Sequence, residues 1–297
     1  MVTTALRNLS QQERLNFLLT NRIPRRALTL FVGWYSRIES ERLTRLSIAL
    51  WRIFASDLDL REAEPQTYTS LRACFTRRLK PGARPIDPRA EIVASPCDAI
   101  VGECGEIAGQ TLFQAKGFPY EIGELMPDPA LQQKFRNGRY VTLRLKSSMY
   151  HRFHAPVDCS TEAIEYISGD TWNVNPIALR RVEKLYCRNE RAVVPLSQTA
   201  TGGALCLVPV AAILVASMRF AGIEQDIDLR YRGPNRIPWR KSFRKGEEMG
   251  WFQQGSTIIL FATANYRLCE GIAPGTPIRM GEALLADSSF SSPSEAP

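Results

Sequence analysis

From about residue 66 onward the chain is built of short β-prone runs cut by Gly, Pro and Asp, with few helical patterns between them. Ile92-Val93-Ala94, Tyr140-Val141-Thr142-Leu143, Ala192-Val193-Val194 and Ser256-Thr257-Ile258-Ile259-Leu260-Phe261 are such runs. β-Branched and aromatic residues bounded by turn residues are strand signals. Strands that follow one another without long crossover helices pair antiparallel. The predicted class is therefore α+β, with a mainly antiparallel, sandwich-like β core preceded by N-terminal amphipathic helices. The longest apolar stretch, Gly203 to Met218, is about 16 residues long and contains Pro209. It is shorter than a bilayer span requires and reads as buried strands.

The first sixty residues read differently. Ser10 with Glu13 forms a capping box that opens a short helix carrying Leu15, Leu18 and Leu19. Pro24 suits the first turn of a second helix, with Leu28, Phe31 and Trp34. A third helix is expected from about Glu39 to Ala55, with Leu43, Leu46, Leu50, Ile53 and Phe54 at helical spacing between Arg42, Arg45 and Arg52. Composition divides the chain into a basic helical region (1–65), a β-rich region (66–286) and a Ser/Pro-rich disordered tail (287–297).

Charge follows the same division. The net charge is +8, and residues 1–55 hold nine Arg, no Lys and three Glu. Such a segment suits an anionic surface. Trp34 and Trp51 beside the arginines favour a membrane interface over nucleic acid. The same helices could also pack one face on the protein's own core. No secretory signal is read at the N-terminus, because Glu13 and Arg14 interrupt it. The seven cysteines show neither C-x-x-C spacing nor a neighbouring His, so no zinc site, other metal site or disulfide framework is expected, and a reducing compartment is the simpler reading.

Only two histidines occur, His151 and His154, within Tyr150-His151-Arg152-Phe153-His154-Ala155-Pro156. Any proton transfer that depends on His must happen there. Three other stretches stand in order around them. They are Phe75-Thr76-Arg77-Arg78-Leu79-Lys80-Pro81-Gly82-Ala83-Arg84-Pro85, Ser95-Pro96-Cys97-Asp98-Ala99, and Lys245-Gly246-Glu247-Glu248-Met249-Gly250 running into Gly255-Ser256-Thr257. Asn173-Val174-Asn175-Pro176 and Asn189-Glu190-Arg191 are weaker echoes. As an ordered set they resemble the phosphatidylserine decarboxylases, a pyruvoyl-dependent family, over roughly residues 66–285.

The resemblance implies that the chain cuts its own Gly255–Ser256 bond. Ser256 would attack the preceding carbonyl, His154 would be its base, and Asp98 would orient His154. Elimination would then leave a pyruvoyl group derived from Ser256, an electron sink that no ordinary side chain supplies. His151 resembles the family's candidate proton donor. The substrate would be phosphatidylserine in an anionic membrane and the product phosphatidylethanolamine. The working protein would consist of cleaved chains 1–255 and 256–297, with a homodimer left open and no nucleic acid bound. Its place would be peripheral, on the cytoplasmic face of a bacterial cell membrane. Arg230, Arg232, Arg236, Arg240, Lys241 and Arg244 form a basic cluster that could meet the lipid phosphate.

The chain departs from the family pattern at Ala99, Ala211 and Ala216, where glycines are usual, and at Gln254 before the cleavage glycine. Two other readings compete. A serine hydrolase could use Ser256, His154 and Asp98, but Ser256 lacks the second glycine of a nucleophile elbow. A non-catalytic membrane-surface derivative is opposed by the intact set of reacting residues.

Overall fold

The computed structural model describes residues 24–115, 118–198, 203–213, 217–253 and 256–289. The Ser10–Glu13 capping box with its Leu15, Leu18 and Leu19, together with Ala216, Gln254, Gly255 and the tail from 290, lies outside the described residues. Helix α1 spans Arg25–Tyr35, α2 spans Glu41–Phe54, and the short α3 spans Leu71–Phe75. Pro24 stands at the N-cap of α1 rather than inside its first turn. Ser40 caps α2 with its hydroxyl on the Leu43 N–H, satisfying one of the free donors of the first turn.

The strands in chain order are β1 (Ile92–Ala94), β2 (Ala99–Glu106), β3 (Thr111–Ala115), β4 (Phe118–Glu121), β5 (Arg139–Leu145), β6 (Arg152–His154), β7 (Cys159–Ile167), β8 (Arg191–Gln198), β9 (Ala204–Ala211), β10 (Ser217–Phe220), β11 (Ile227–Asp228), β12 (Arg236–Phe243), β13 (Glu248–Phe252), β14 (Ser256–Ala262), β15 (Tyr266–Leu268), β16 (Pro277–Ile278) and β17 (Ala283–Asp287). Eight of them form one sheet in the order β12-β7-β8-β9-β14-β5-β2-β16, and four form a second in the order β11-β10-β13-β6. The paired strands in both sheets run antiparallel. All four runs singled out in the sequence lie on strands, and the Gly203–Met218 stretch supplies β9 and the start of β10.

β14 is central and buried along its whole length. Successive side chains point to opposite faces, so its residues divide by parity. Ile258, Leu260 and Ala262 join one core with Phe153, Met218, Phe220 and Phe252 of the second sheet. Ile259 and Phe261 join another core beneath the short helices Ile122–Leu125, Pro129–Phe135, Pro176–Leu179 and Leu185–Arg188. The large sheet is thus covered on both faces, which explains the near-continuous apolar run. Asp287, assigned by composition to the tail, closes β17 opposite Tyr266 and is buried.

The N-terminal helices invert the usual amphipathic arrangement. The only fully buried residues of α1 and α2 are Thr29 and Thr44. Phe31, Trp34, Leu46, Leu50 and Phe54 are 56% to 68% exposed. Much of the apolar stripe read from the sequence therefore faces outward, Leu28, Leu43 and Ile53 being half-buried, and Trp51 packs inward on Phe75. No helix among the described residues is long and apolar enough to cross a membrane.

Candidate active site

Register gathers the motifs at one end of the large sheet. Ser256, the first residue of β14, lies opposite Leu145, the last of β5, and Ala211, the last of β9. β2 enters beside β5 with Ile100 opposite Arg144, so Asp98 stands at the same end. The chain leaves β5 directly into the loop that carries Tyr150 and His151, then into β6 with His154. The His154 N–H donates to the Pro96 carbonyl at 2.8 Å, joining this loop to the Asp98 segment. The Lys245–Gly250 stretch closes the other side. Ala155 N–H bonds the Glu247 carbonyl, Gly246 N–H bonds the Ala155 carbonyl, and Glu248 sits opposite His154. Four residues before Ser256, the Phe252 N–H bonds the His151 carbonyl at 2.9 Å.

The Ser256 hydroxyl is completely buried and makes no hydrogen bond among the described residues. A buried hydroxyl without a partner costs free energy, and this one sits at the predicted cleavage bond. His154 is buried with Nδ1 free of hydrogen bonds, while Nε2 lies 3.4 Å from the Tyr150 hydroxyl, at the edge of hydrogen-bond range. Burial lowers its pKa to about 4, against the opposing pull of the Glu248 carboxylate and, more weakly, of Asp98. At neutral pH His154 is therefore an uncharged imidazole able to accept a proton.

His151 is stacked on Phe75, with ring centres 4.0 Å apart. Its Nε2 faces the carbonyls of Lys146 at 3.0 Å and Ser147 at 3.3 Å. Two acceptors assign the proton to Nε2 and leave Nδ1 as the bare nitrogen. Burial, helped by Arg77, lowers the His151 pKa to about 3. In this uncut chain it is thus a neutral ring, and acting as an acid requires that it first take up a proton.

Asp98 departs from its predicted partner. Its two oxygens take Arg84 Nε and Nη2 at 2.8 and 2.6 Å, and Oδ1 also accepts the Met280 N–H. It makes no hydrogen bond to His154. Tyr150 is the side chain that meets His154, and Tyr150, Asp98 and Arg84 together line a polar cavity of about 410 Å³. Around this centre Arg152 takes both Glu248 oxygens and the Thr76 carbonyl, and Arg77 takes the Ser148 and Met149 carbonyls. Sequence reasoning quoted Arg77, Arg84, Tyr150, Arg152 and Glu248 inside motifs but assigned none of them a role. Their only signal was that position.

A larger cavity of about 670 Å³ opens at the Ser256 end of the sheet. Leu145, which faces Ser256 on β5, and Ala212, the residue after its β9 partner Ala211, form part of its wall together with Phe75, Trp51 and Phe54. Lys146, ion-paired with Asp57, and Asn173 and Asn175 supply polar atoms. The Asn173–Pro176 echo therefore falls on the same cavity.

The basic cluster does not converge on Ser256. Arg236, Arg240 and Lys241 lie on edge strand β12, four strand positions from β14, or roughly 19 Å at about 4.8 Å per strand. Arg236 pairs with Glu165 and Arg240 with Glu162. Arg244 lies past the far end of β12, and Arg232 is exposed. Arg230 alone approaches, sharing a small cleft with Gln253. Among the described residues no cluster of His, Cys, Asp or Glu is placed to hold a metal ion. All seven cysteines are free thiols.

Comparison with known proteins gives a consistent family. The phosphatidylserine decarboxylase family profile matches residues 71–286. The phosphatidylserine decarboxylase proenzyme of Shewanella baltica is 37% identical over 287 residues, covering 91% of this chain and 96% of its own. That of Photobacterium profundum is 37% identical over 275 residues, with 87% and 92% covered. The Brevibacillus brevis proenzyme is 32% identical over 271 residues, with 90% and 95% covered.

Proposed function

This chain belongs to the phosphatidylserine decarboxylase family, and from that premise we propose that it decarboxylates phosphatidylserine to phosphatidylethanolamine after cutting itself between Gly255 and Ser256. The observation that carries the reading is the Ser256 hydroxyl, buried and without a partner among the described residues, at the end of β14 where the motifs gather. In maturation the hydroxyl attacks the Gly255 carbonyl, the peptide C–N bond gives way to an ester, and His154 takes the hydroxyl proton as a neutral base. Elimination then releases the Gly255 carboxylate and leaves residue 256 as an N-terminal dehydroalanine, which takes up water and loses its nitrogen as ammonia to become the pyruvoyl group. Asp98 acts through its charge, held in place by Arg84, and Tyr150 bears on the ring of His154. A pyruvoyl group made from Ser256 supplies the electron sink for decarboxylation. A small residue first in a buried strand, beside a cavity and clear of competing hydrogen bonds, fits such a conversion.

The large cavity suits the substrate, with apolar walls for the lipid body and Lys146, Asn173 and Asn175 at its polar part. His151, directly behind the Lys146–Ser147 wall, is the candidate proton carrier for turnover. Residues 1–65 form the membrane-associating region and 66–286 the catalytic one. The outward apolar face of α1 and α2 borders the cavity through Phe54, and supports peripheral attachment at the cytoplasmic face of a bacterial cell membrane.

A denaturing mass spectrum tests the reading. Wild-type protein is expected as residues 1–255 and 256–297, the second starting with a pyruvoyl mass. Ser256→Ala is expected as one uncut, inactive chain. Cleavage of that variant at the same bond would overturn the assignment of Ser256.

A further inference from the structure

Three arginines converge on one carboxylate where the N-terminal helices meet the second sheet. Arg219 of β10 reaches Asp226 Oδ1 at 2.7 Å, while Arg37, just past α1, and Arg72 of α3 both reach Oδ2 at 3.3 Å. Among the described residues these arginines have no other carboxylate within ion-pair distance, so two positive charges remain uncompensated. Burial pulls the Arg72 pKa down, Asp226 pulls it back, and Arg37 and Arg219 push it down again. Mutual repulsion is thus built into the cluster.

Beside it lies a cleft of about 100 Å³, lined among others by Trp34, Arg37, Ser217, Asp228, Arg230 and Gln253. The Ser217 hydroxyl is buried and makes no hydrogen bond among the described residues. The rim carries the exposed Trp34, and Phe31 extends the same apolar helix face. The cleft is separated from the large cavity by α1, since Val32 lines the cavity and Thr29, Leu30 and Gly33 line the cleft.

We propose that Arg37, Arg72, Arg219 and the Ser217 hydroxyl form a second anion site, which holds the phosphate of an anionic phospholipid other than the one reacting at Ser256. Guanidinium groups match phosphate oxygens in geometry and charge. Asp226 is then the internal stand-in that occupies the arginines when no phosphate is bound. The site rests on the reading of α1 and α2 as facing a lipid surface, and it adds a headgroup contact to that apolar face.

The test uses the full chain with vesicles of phosphatidylcholine alone and of phosphatidylcholine mixed equally with phosphatidylglycerol, and separately with inorganic phosphate. Asp226→Asn removes the competitor, so it should bind the anionic vesicles several-fold more tightly than wild type at low salt, with neutral vesicles unchanged. The double variant Arg37→Gln/Arg72→Gln should bind anionic vesicles more weakly, by roughly five-fold per arginine. Inorganic phosphate should raise the thermal midpoint of Asp226→Asn more than that of wild type.

If Asp226→Asn weakens anionic binding, or loses stability that phosphate does not restore, the cluster is a structural ion-pair hub and the site is overturned. A phosphate response with no vesicle response in either variant overturns the lipid as its source. Failure of wild type to bind either vesicle overturns the membrane reading as well, which separates the two ideas.

Discussion

Arg84 grips Asp98 with two parallel hydrogen bonds of 2.8 and 2.6 Å, both side chains buried beneath the His154 loop. The second arm of Arg84 reaches Glu62, so one guanidinium ties the segment before β1 to the start of β2. Removing one partner of a buried ion pair leaves the other charge without compensation, at a cost of about 3–5 kcal/mol. Arg84→Gln should lose stability on that scale in urea unfolding and should also self-cleave slowly. A variant that unfolds like wild type would show that the pair is dispensable.

The two histidines should separate maturation from turnover. His154 has a free ring nitrogen and an uncharged ring, as a base for Ser256 requires. His154→Ala should accumulate uncut chain on a denaturing gel. His151→Ala should cut at least in part yet decarboxylate poorly, measured by release of carbon dioxide. Equal processing defects in both would remove the division.

Acid should destabilise the fold in a defined window. The ordinary His pKa is 6.5, but the folded values are about 3 for His151 and about 4 for His154. Between pH 4 and 6.5 the unfolded chain therefore binds up to two more protons at these rings, and stability falls as pH falls. Glu190 opposes them. Burial raises its pKa from 4.5 to about 7, so from pH 7 down to 4.5 the folded chain binds one more proton there. The net difference from these three groups over pH 4.5 to 6.5 approaches one proton, about 1.4 kcal/mol per pH unit. Glu190→Gln should make the dependence about twice as steep, read from urea midpoints across that window.

The outward face of α1 and α2 should be nearly silent in stability and loud in binding. Leu46, Leu50 and Phe54 are exposed, and surface substitutions usually change stability by less than about 0.5 kcal/mol. Leu46→Ser with Leu50→Ser and Phe54→Ser should keep the thermal midpoint but cut co-sedimentation with neutral vesicles several-fold. Unchanged sedimentation would move the membrane contact elsewhere.

The β core was legible because strand content is a local property. β1 coincides with Ile92-Val93-Ala94, and the run from Ser256 grew by one residue. The glycine replacements were also decidable in part. Ala99 and Ala211 sit in strands without positive φ, where a methyl group is tolerated. Gly250 is needed for a reason that no local pattern shows. A Cβ there would lie 2.2 Å from the Arg219 carbonyl of the paired strand. Partner choice was beyond reach in the same way. Arg152 meets Glu248 across 96 residues, and Asp98 chose Arg84 over His154. Periodicity gave the helices their stripe but not the direction in which it faces. That is set by what the sheet offers, and here the sheet side takes the threonines.

Those buried threonines also set how the helix pair responds to temperature. Much of its hold on the rest of the chain is polar: the Thr44 hydroxyl and the Ser40 N–H on the Thr69 carbonyl, and Arg25 on Asp170 and over the Trp172 ring. Exposed apolar surface contributes a positive heat-capacity change, while exposed polar surface contributes a negative one. Because much of the large apolar surface of α1 and α2 is already outside, lifting the pair away exposes less of it than undocking a helix by its apolar stripe would, Trp51 and Leu30 being the main additions. Its docking therefore has a flatter enthalpy than the sheet core, and chilling, which weakens apolar packing, loosens it less.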